Sequence, residues 1–289
     1  MFPIHLDFDF FSPYFYEGAY FAISILIAAI WASKRTKHLL NDEKHFEGII
    51  TWALIAALIG ARLSHFIFWE PSVFFSNPAV FFDFSGGNSI VGGLVGGMFG
   101  AWLYTRRKKL NYFTYFAVIS PAVLLGQAIG RAGCFLNGDA YGTHTTLPWG
   151  VEFPRYGTSI PSFETNTRIS SEAWRWSAEN GLVDATSTVS APLHPTQLYE
   201  MFGDLILMYI IVVVVRRMWG NTKDFKNIFY IHVGGYAFLR FALEFIRADN
   251  NSALYLGMTG LQVSLLALSV FILFLYLRDA NKKKQKAAA

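Results

Sequence analysis

The chain reads as an all-α integral membrane protein of about seven transmembrane helices, and three observations carry that reading. Of its 289 residues 53% are hydrophobic and 17% aromatic, while only 15% are charged, a composition that fits a bilayer better than water. Seven apolar runs approach the roughly 20 residues a spanning helix needs. Lysine and arginine are gathered into short clusters that fall in alternate connecting segments.

The runs cover 14–33, 46–69, 89–104, 113–130, 198–215, 228–246 and 260–277. The third is short, and Gly92, Gly93, Gly96, Gly97 and Gly100 place small residues three and four apart along it. That spacing predicts close approach of a neighbouring helix, not a nucleotide-binding loop. Basic clusters follow the first, third, fifth and seventh runs: Lys34, Arg35, Lys37 and Lys44; 106–109; Arg216, Arg217, Lys223 and Lys226; and Arg278, Lys282, Lys283, Lys284 and Lys286. The segments 1–13, 70–88 and 248–259 contain none. The positive-inside rule therefore puts the N-terminus outside, the C-terminus in the cytoplasm, and the long segment 131–195 outside.

The whole chain, 1–289, is expected to form one polytopic membrane domain, with a small extracytoplasmic head over 143–191 between the fourth and fifth helices. That head is polar and too short to bury much core alone. Ser170 to Asn180 within it reads as a short helix opened by a serine cap. Residues 281–289 read as a disordered basic tail. The formal charge of +4 does not indicate nucleic acid, because the cations mark loop ends and not a polar face. The aspartates of 1–13 do not make the basic start of a cleavable signal peptide. Cys134, the single cysteine, excludes an intramolecular disulfide. No histidine or cysteine cluster has metal-ligand spacing, and no cofactor is expected.

Ionisable groups at bilayer depth cost several kcal/mol unless paired or wet, so their positions point to function. They are Glu17, Arg62, His65, Arg131, Glu200, Asp204, Arg240, Glu244 and Arg247. With the orientation above, Arg62, His65, Arg131, Glu200 and Arg247 all fall toward the outer leaflet. Arg240, Glu244 and Arg247 share one helical face, as do Arg62 with His65 and Glu200 with Asp204. Buried ion pairs fixing helix register are one account of these faces. A pocket for an anion is the other, since four arginines would consume nearly every carboxylate. A lipid phosphate is the anion met first in the outer leaflet, and a guanidinium fork matches two of its oxygens.

The run Gly130-Arg131-Ala132-Gly133-Cys134-Phe135-Leu136-Asn137-Gly138-Asp139-Ala140-Tyr141-Gly142 resembles the signature of the prolipoprotein diacylglyceryl transferases. Cys134 stands where that signature has asparagine, and Asp139 where it has glutamate. His194-Pro195-Thr196-Gln197-Leu198-Tyr199-Glu200 and Gly235-Tyr236-Ala237-Phe238-Leu239-Arg240-Phe241, continuing to Glu244 and Arg247, are similar to two further family segments. Gly60-Ala61-Arg62 and Gly92-Gly93-Leu94 fall at corresponding places, so the resemblance covers nearly the whole chain.

The resemblance implies transfer of a diacylglyceryl group from phosphatidylglycerol to the lipobox cysteine thiol of a preprolipoprotein, releasing glycerol 1-phosphate. It implies a bacterial inner-membrane enzyme whose partners are that lipid and the precursor's signal peptide, with no nucleic acid. Arg131 and Arg240 match the family's essential arginines and would stabilise the phosphate. Asp139, Glu200 and Glu244 would orient those guanidiniums or the glycerol hydroxyls. Asn137 and Gly142 match the signature's second asparagine and closing glycine, and Arg62 and Arg247 are further candidates for the lipid. The family histidine ahead of the glycine pair is Val91 here, which cannot take a proton. His65 is the substitute base considered, and Tyr16 or Glu17 stands where the family has a tyrosine. His194 matches a family position but precedes Pro195 at a helix start, which favours a structural hydrogen bond. Two alternatives stay open: a divergent member using another lipid or acceptor, and a noncatalytic lipid-binding protein.

Overall fold

A computed structural model describes residues 13–68, 71–82, 90–155, 171–218, 225–249, 254–255 and 257–288; the side chains of 13–19, 68, 71, 90–91, 254–255, 284 and 286–288 lie outside that description. The fold is almost entirely helical. In chain order it comprises α1 (Pro13–Leu40), α2 (Glu43–Phe68), α3 (Pro71–Ser76), a 3-10 turn (Pro78–Phe82), α4 (Ile90–Arg107), α5 (Tyr112–Asn137), α6 (Glu172–Glu179), α7 (Thr196–Met218), α8 (Lys226–Leu243), a minimal hairpin of β1 (Leu254–Tyr255) with β2 (Met258–Thr259), and α9 (Gly260–Ala288).

Among the described residues, four helices are long and apolar enough to cross a membrane: α2 over Glu43–Ile67, α5, α7, and α9 over Gly260–Lys283. The other three apolar runs of the sequence are helical as well, in α1, α4 and α8. Helix α9 continues through 281–288, where the sequence reading expects a disordered tail.

The chain divides into two compact units, 33–119 and 1–32 with 120–289. In the first, α2 and α4 pack through glycine, as the spacing predicts. A Cβ built on Gly60 would lie 3.0 Å from Gly96 Cα, and one on Gly100 would lie 2.7 Å from Ala56 Cβ. Backbones this close leave no room for larger side chains, and the gain is dispersion contact where lipid offers no hydrophobic drive. At one end of the unit Asp42 caps α2 by accepting from His45 N at 3.1 Å, and Tyr115 donates its hydroxyl to the same carboxylate.

In the second unit α7 packs on α8 and α8 on α9. Ser120 on α5 and His232 on α8 are buried and hydrogen-bonded to each other at 2.6 Å. The polar segment after α5 is knit by isolated bridges, Gly142 with Arg247 and Leu193 with both His144 and Val151. Its small core joins Tyr141, Val151, Phe153, Ala173 and Leu193 to Ala248, with Phe135 and Trp176 packed against it. The segment thus borrows apolar surface from the ends of α5 and α8. The expected serine-capped helix is α6, with Ser171 as cap accepting from Trp174 N at 3.3 Å.

Candidate active site

The signature loop is seated on the start of α7 by backbone geometry. Gly138 and Ala140 adopt positive φ, 76° and 55°, which ends α5 and turns the chain. The turn delivers Asp139 O to Gln197 Nε2 at 2.5 Å and Ala140 O to Thr196 Oγ1 at 2.6 Å. Gly142 N then donates to His194 O at 2.9 Å, and Thr143 N to Ile246 O at 2.8 Å. A Cβ on Gly142 would lie 2.6 Å from His194 Cβ and 2.8 Å from Ile246 O, so only glycine lets these three segments meet.

That seating brings the charged groups together. Arg131 Nη2 lies 2.7 Å from Glu200 Oε1, with Glu200 1% exposed. Tyr236 donates its hydroxyl to the same Oε1 at 3.1 Å. Arg247 Nη1 lies 3.7 Å from Glu200 Oε2, while its Nε donates to Asp249 Oδ1 at 2.8 Å and its Nη2 to the other Asp249 oxygen. Arg240 Nη1 lies 2.6 Å from Glu244 Oε2, one turn on along α8. Tyr236 stands within electrostatic range of Glu200, Arg131, Asp204 and Arg240, which ties α5, α7 and α8 into one polar cluster.

Close approach is not full satisfaction here. Among the described residues Arg240 Nη1 and Arg247 Nη1 are both buried with no hydrogen-bond acceptor, because the Arg240–Glu244 contact is misaligned and the Arg247–Glu200 contact is long. Asn137 Nδ2 donates to Asp139 Oδ2 at 2.9 Å, and the Cys134 thiol lies against Asp139 and Arg131. His194 Nδ1 faces the Tyr199 hydroxyl at 3.3 Å, and that hydroxyl also accepts from Trp149 Nε1 at 2.7 Å. Burial pushes the His194 imidazole below its usual value and favours the neutral ring.

Of the remaining candidates, Arg62 and His65 belong to the unit 33–119. Arg62 is 3% exposed and donates to Val80 O at 2.7 Å and Phe81 O at 3.2 Å, with its guanidinium over the Phe66 ring. The His65 ring meets the edge of Phe66. Tyr16, Glu17 and Val91 lie on helical backbone, but their side chains fall outside the described residues.

Three participants were not singled out from sequence: Tyr236, Gln197 and Asp249. The first two sit inside the quoted motifs, where their hydrogen-bonding side chains at buried depth were the available signal. The arginine excess inferred from sequence does not hold in this cluster. Asp249 takes Arg247, and Arg62 uses backbone carbonyls, so Arg131, Arg240 and Arg247 face at least as many carboxylates as guanidiniums.

A family model described as prolipoprotein diacylglyceryl transferase matches residues 3–278. The chain is 28% identical over 264 residues to the phosphatidylglycerol–prolipoprotein diacylglyceryl transferase of Nitratidesulfovibrio vulgaris (strain DP4), covering 90% of this chain and 85% of that protein. It is also 28% identical over 270 residues to the protein of the same name from Finegoldia magna, covering 92% and 91%. A third relative of that name, from Leifsonia xyli, is 30% identical over 245 residues. With a match that runs almost end to end and passes through each of the polar segments assembled above, the chain belongs to the prolipoprotein diacylglyceryl transferase family.

Proposed function

We propose that this chain transfers the diacylglyceryl group of phosphatidylglycerol to the lipobox cysteine thiol of a preprolipoprotein. The thiol loses its proton, its sulfur forms a bond to a glycerol carbon, and the bond from that carbon to the phosphate oxygen breaks. Its electron pair leaves on glycerol 1-phosphate. Such a step needs charge stabilisation on the departing phosphate above all.

The observation that carries this reading is the pair of buried guanidinium nitrogens, Arg240 Nη1 and Arg247 Nη1, that have an ion-pair neighbour but no aligned hydrogen-bond acceptor among the described residues, in the cluster that also holds Arg131. A phosphodiester supplies the missing acceptors. In this reading Arg131 and Arg240 hold the phosphate, and Arg247 and Arg62 serve the lipid. Glu200 and Glu244 fix the guanidiniums. Asp139 and Asn137 meet the glycerol hydroxyls, Gly142 and His194 hold the loop to α7, and Tyr16 and Glu17 are further substrate-binding candidates. His65 accepts the thiol proton in place of the histidine that Val91 replaces.

We also read seven spans with the N-terminus outside, the head 143–191 extracytoplasmic, and the site toward the outer leaflet of a bacterial inner membrane. Support comes from the two ends of the second unit. Arg131 lies in the last two turns of α5, Glu200 in the second turn of α7 and Arg247 just after α8, and these ends meet. At the opposite ends stand Arg216 and Arg217 on α7, and Lys226 on α8 within 4.0 Å of Asp279 on α9. Cations flanking the apolar helices at this second end are the pattern of a cytoplasmic face.

The test is mass spectrometry of a lipobox peptide incubated with purified protein and phosphatidylglycerol, beside an Arg131→Ala control. A gain of one diacylglyceryl mass that vanishes in the control is the expected result. No gain from folded, lipid-binding protein favours the divergent reading, which Val91 and Cys134 motivate. A large gain on Val91→His would then mark another natural acceptor.

A further inference from the structure

Helix α7 turns one polar stripe into the second unit: Gln197, Glu200 and Asp204, followed by Leu207, Ile211 and Val215, all buried. Each of the other carboxylates in the cluster has a visible partner: Glu200 has Arg131 and Tyr236, Glu244 has Arg240, Asp249 has Arg247, and Asp139 has Asn137. Asp204 differs. It is 0% exposed, and among the described residues neither of its carboxylate oxygens has a hydrogen-bond partner. The groups within electrostatic range of it are Glu200 on its own helix, Arg131 on α5 and Tyr236 on α8, with Arg240 beyond Tyr236.

An ionised carboxylate without a donor is the least tolerable group in a buried site. Glu200 stands one turn away on the same face and already holds Arg131. A second anion there would compete for the one guanidinium between them. We propose that Asp204 works as the neutral acid, so that the Glu200–Asp204 pair bears one negative charge and Arg131 stays on Glu200, in place to meet phosphate. Asp204 is then a positioning residue acting through Arg131. Loss of its proton draws Arg131 deeper along α7 and switches the site off at alkaline pH. This rests on the reading of Arg131 as the phosphate-holding group.

The experiment compares wild type with Asp204→Asn in phosphatidylglycerol nanodiscs, by infrared difference spectroscopy at neutral pH and by the pH profile of lipobox-peptide transfer. The wild type is expected to show a protonated carboxyl C=O band that is absent from Asp204→Asn. Asparagine cannot lose a proton as the acid does, so the alkaline fall in kcat is expected to move up by about one pH unit or more. An absent band overturns the proposal. So does an unchanged alkaline limb, or a folded Asp204→Asn that transfers nothing while Asp204→Glu does. If Asp204→Asn does not fold, Asp204→Ser removes the carboxyl at smaller volume and serves for the same band and profile. A wild type that transfers no lipid at any pH sinks the enzymatic reading, whereas the infrared band still decides the proton on Asp204.

Discussion

Arg131 and Tyr236 converge on a single oxygen: Glu200 Oε1 takes the guanidinium at 2.7 Å and the phenol at 3.1 Å. With one oxygen so engaged and the other 3.7 Å from Arg247, Glu200 fixes the directions of two arginines at once. Tyr236→Phe removes one neutral donor and leaves the shape. The expected cost is about 1 kcal/mol of stability and about a tenfold lower kcat/KM, read by thermal unfolding and transfer rates. An unchanged rate would show that the phenol is only packing.

Glu200→Gln should be far more severe, because it strands Arg131 without its partner in a buried site. A loss of about 3–5 kcal/mol is expected, with transfer reduced at least about a hundredfold. Arg131→Lys should fail to restore transfer, since an ammonium cannot serve Glu200 and a phosphate with one planar fork. Lipid binding of each variant by native mass spectrometry, beside its turnover, separates loss of the site from loss of the fold.

Two glycines of one motif should behave oppositely on substitution. Gly142→Ala puts a methyl 2.6 Å from His194 Cβ and must push the loop off α7, at about 1–3 kcal/mol. At Gly130 a Cβ meets nothing within 4 Å, so Gly130→Ala gains helix propensity of up to about 1 kcal/mol. Melting temperatures and transfer rates of the two variants check the contrast; equal effects would refute the close-approach account of Gly142.

Acid should weaken the unit 33–119 through Asp42. Burial pushes that carboxyl up, but the Tyr115 hydroxyl, the His45 amide and the His45 ring together hold it below the usual carboxylate value. A lowered value in the folded state means that the stabilisation is present above the unfolded-state value and is lost as pH falls through the folded one. Asp42→Asn keeps a cap for α2 while removing that dependence. Unfolding midpoints measured from about pH 6 down to about pH 3 should therefore fall more steeply for wild type than for Asp42→Asn.

The helices and much of their chemistry were legible in the chain because both depend on local periodicity. The apolar runs became α1, α2, α4, α5, α7, α8 and α9, four of them long and apolar enough to cross a membrane, the glycine spacing of α4 became its contact with α2, and Ser171 became the cap of α6. The Arg240–Glu244 pair follows from a four-residue step on one helix. No such rule reaches across segments. That Arg131 chooses Glu200, that Tyr236 shares its oxygen, that Asp249 takes Arg247, and that Asp204 has no donor among the described residues depend on how the ends of α5, α7 and α8 are drawn together by the loop at Gly142. Sequence spacing sets which residues share a face; only packing decides which faces meet, and a buried charge is satisfied or stranded by that meeting alone.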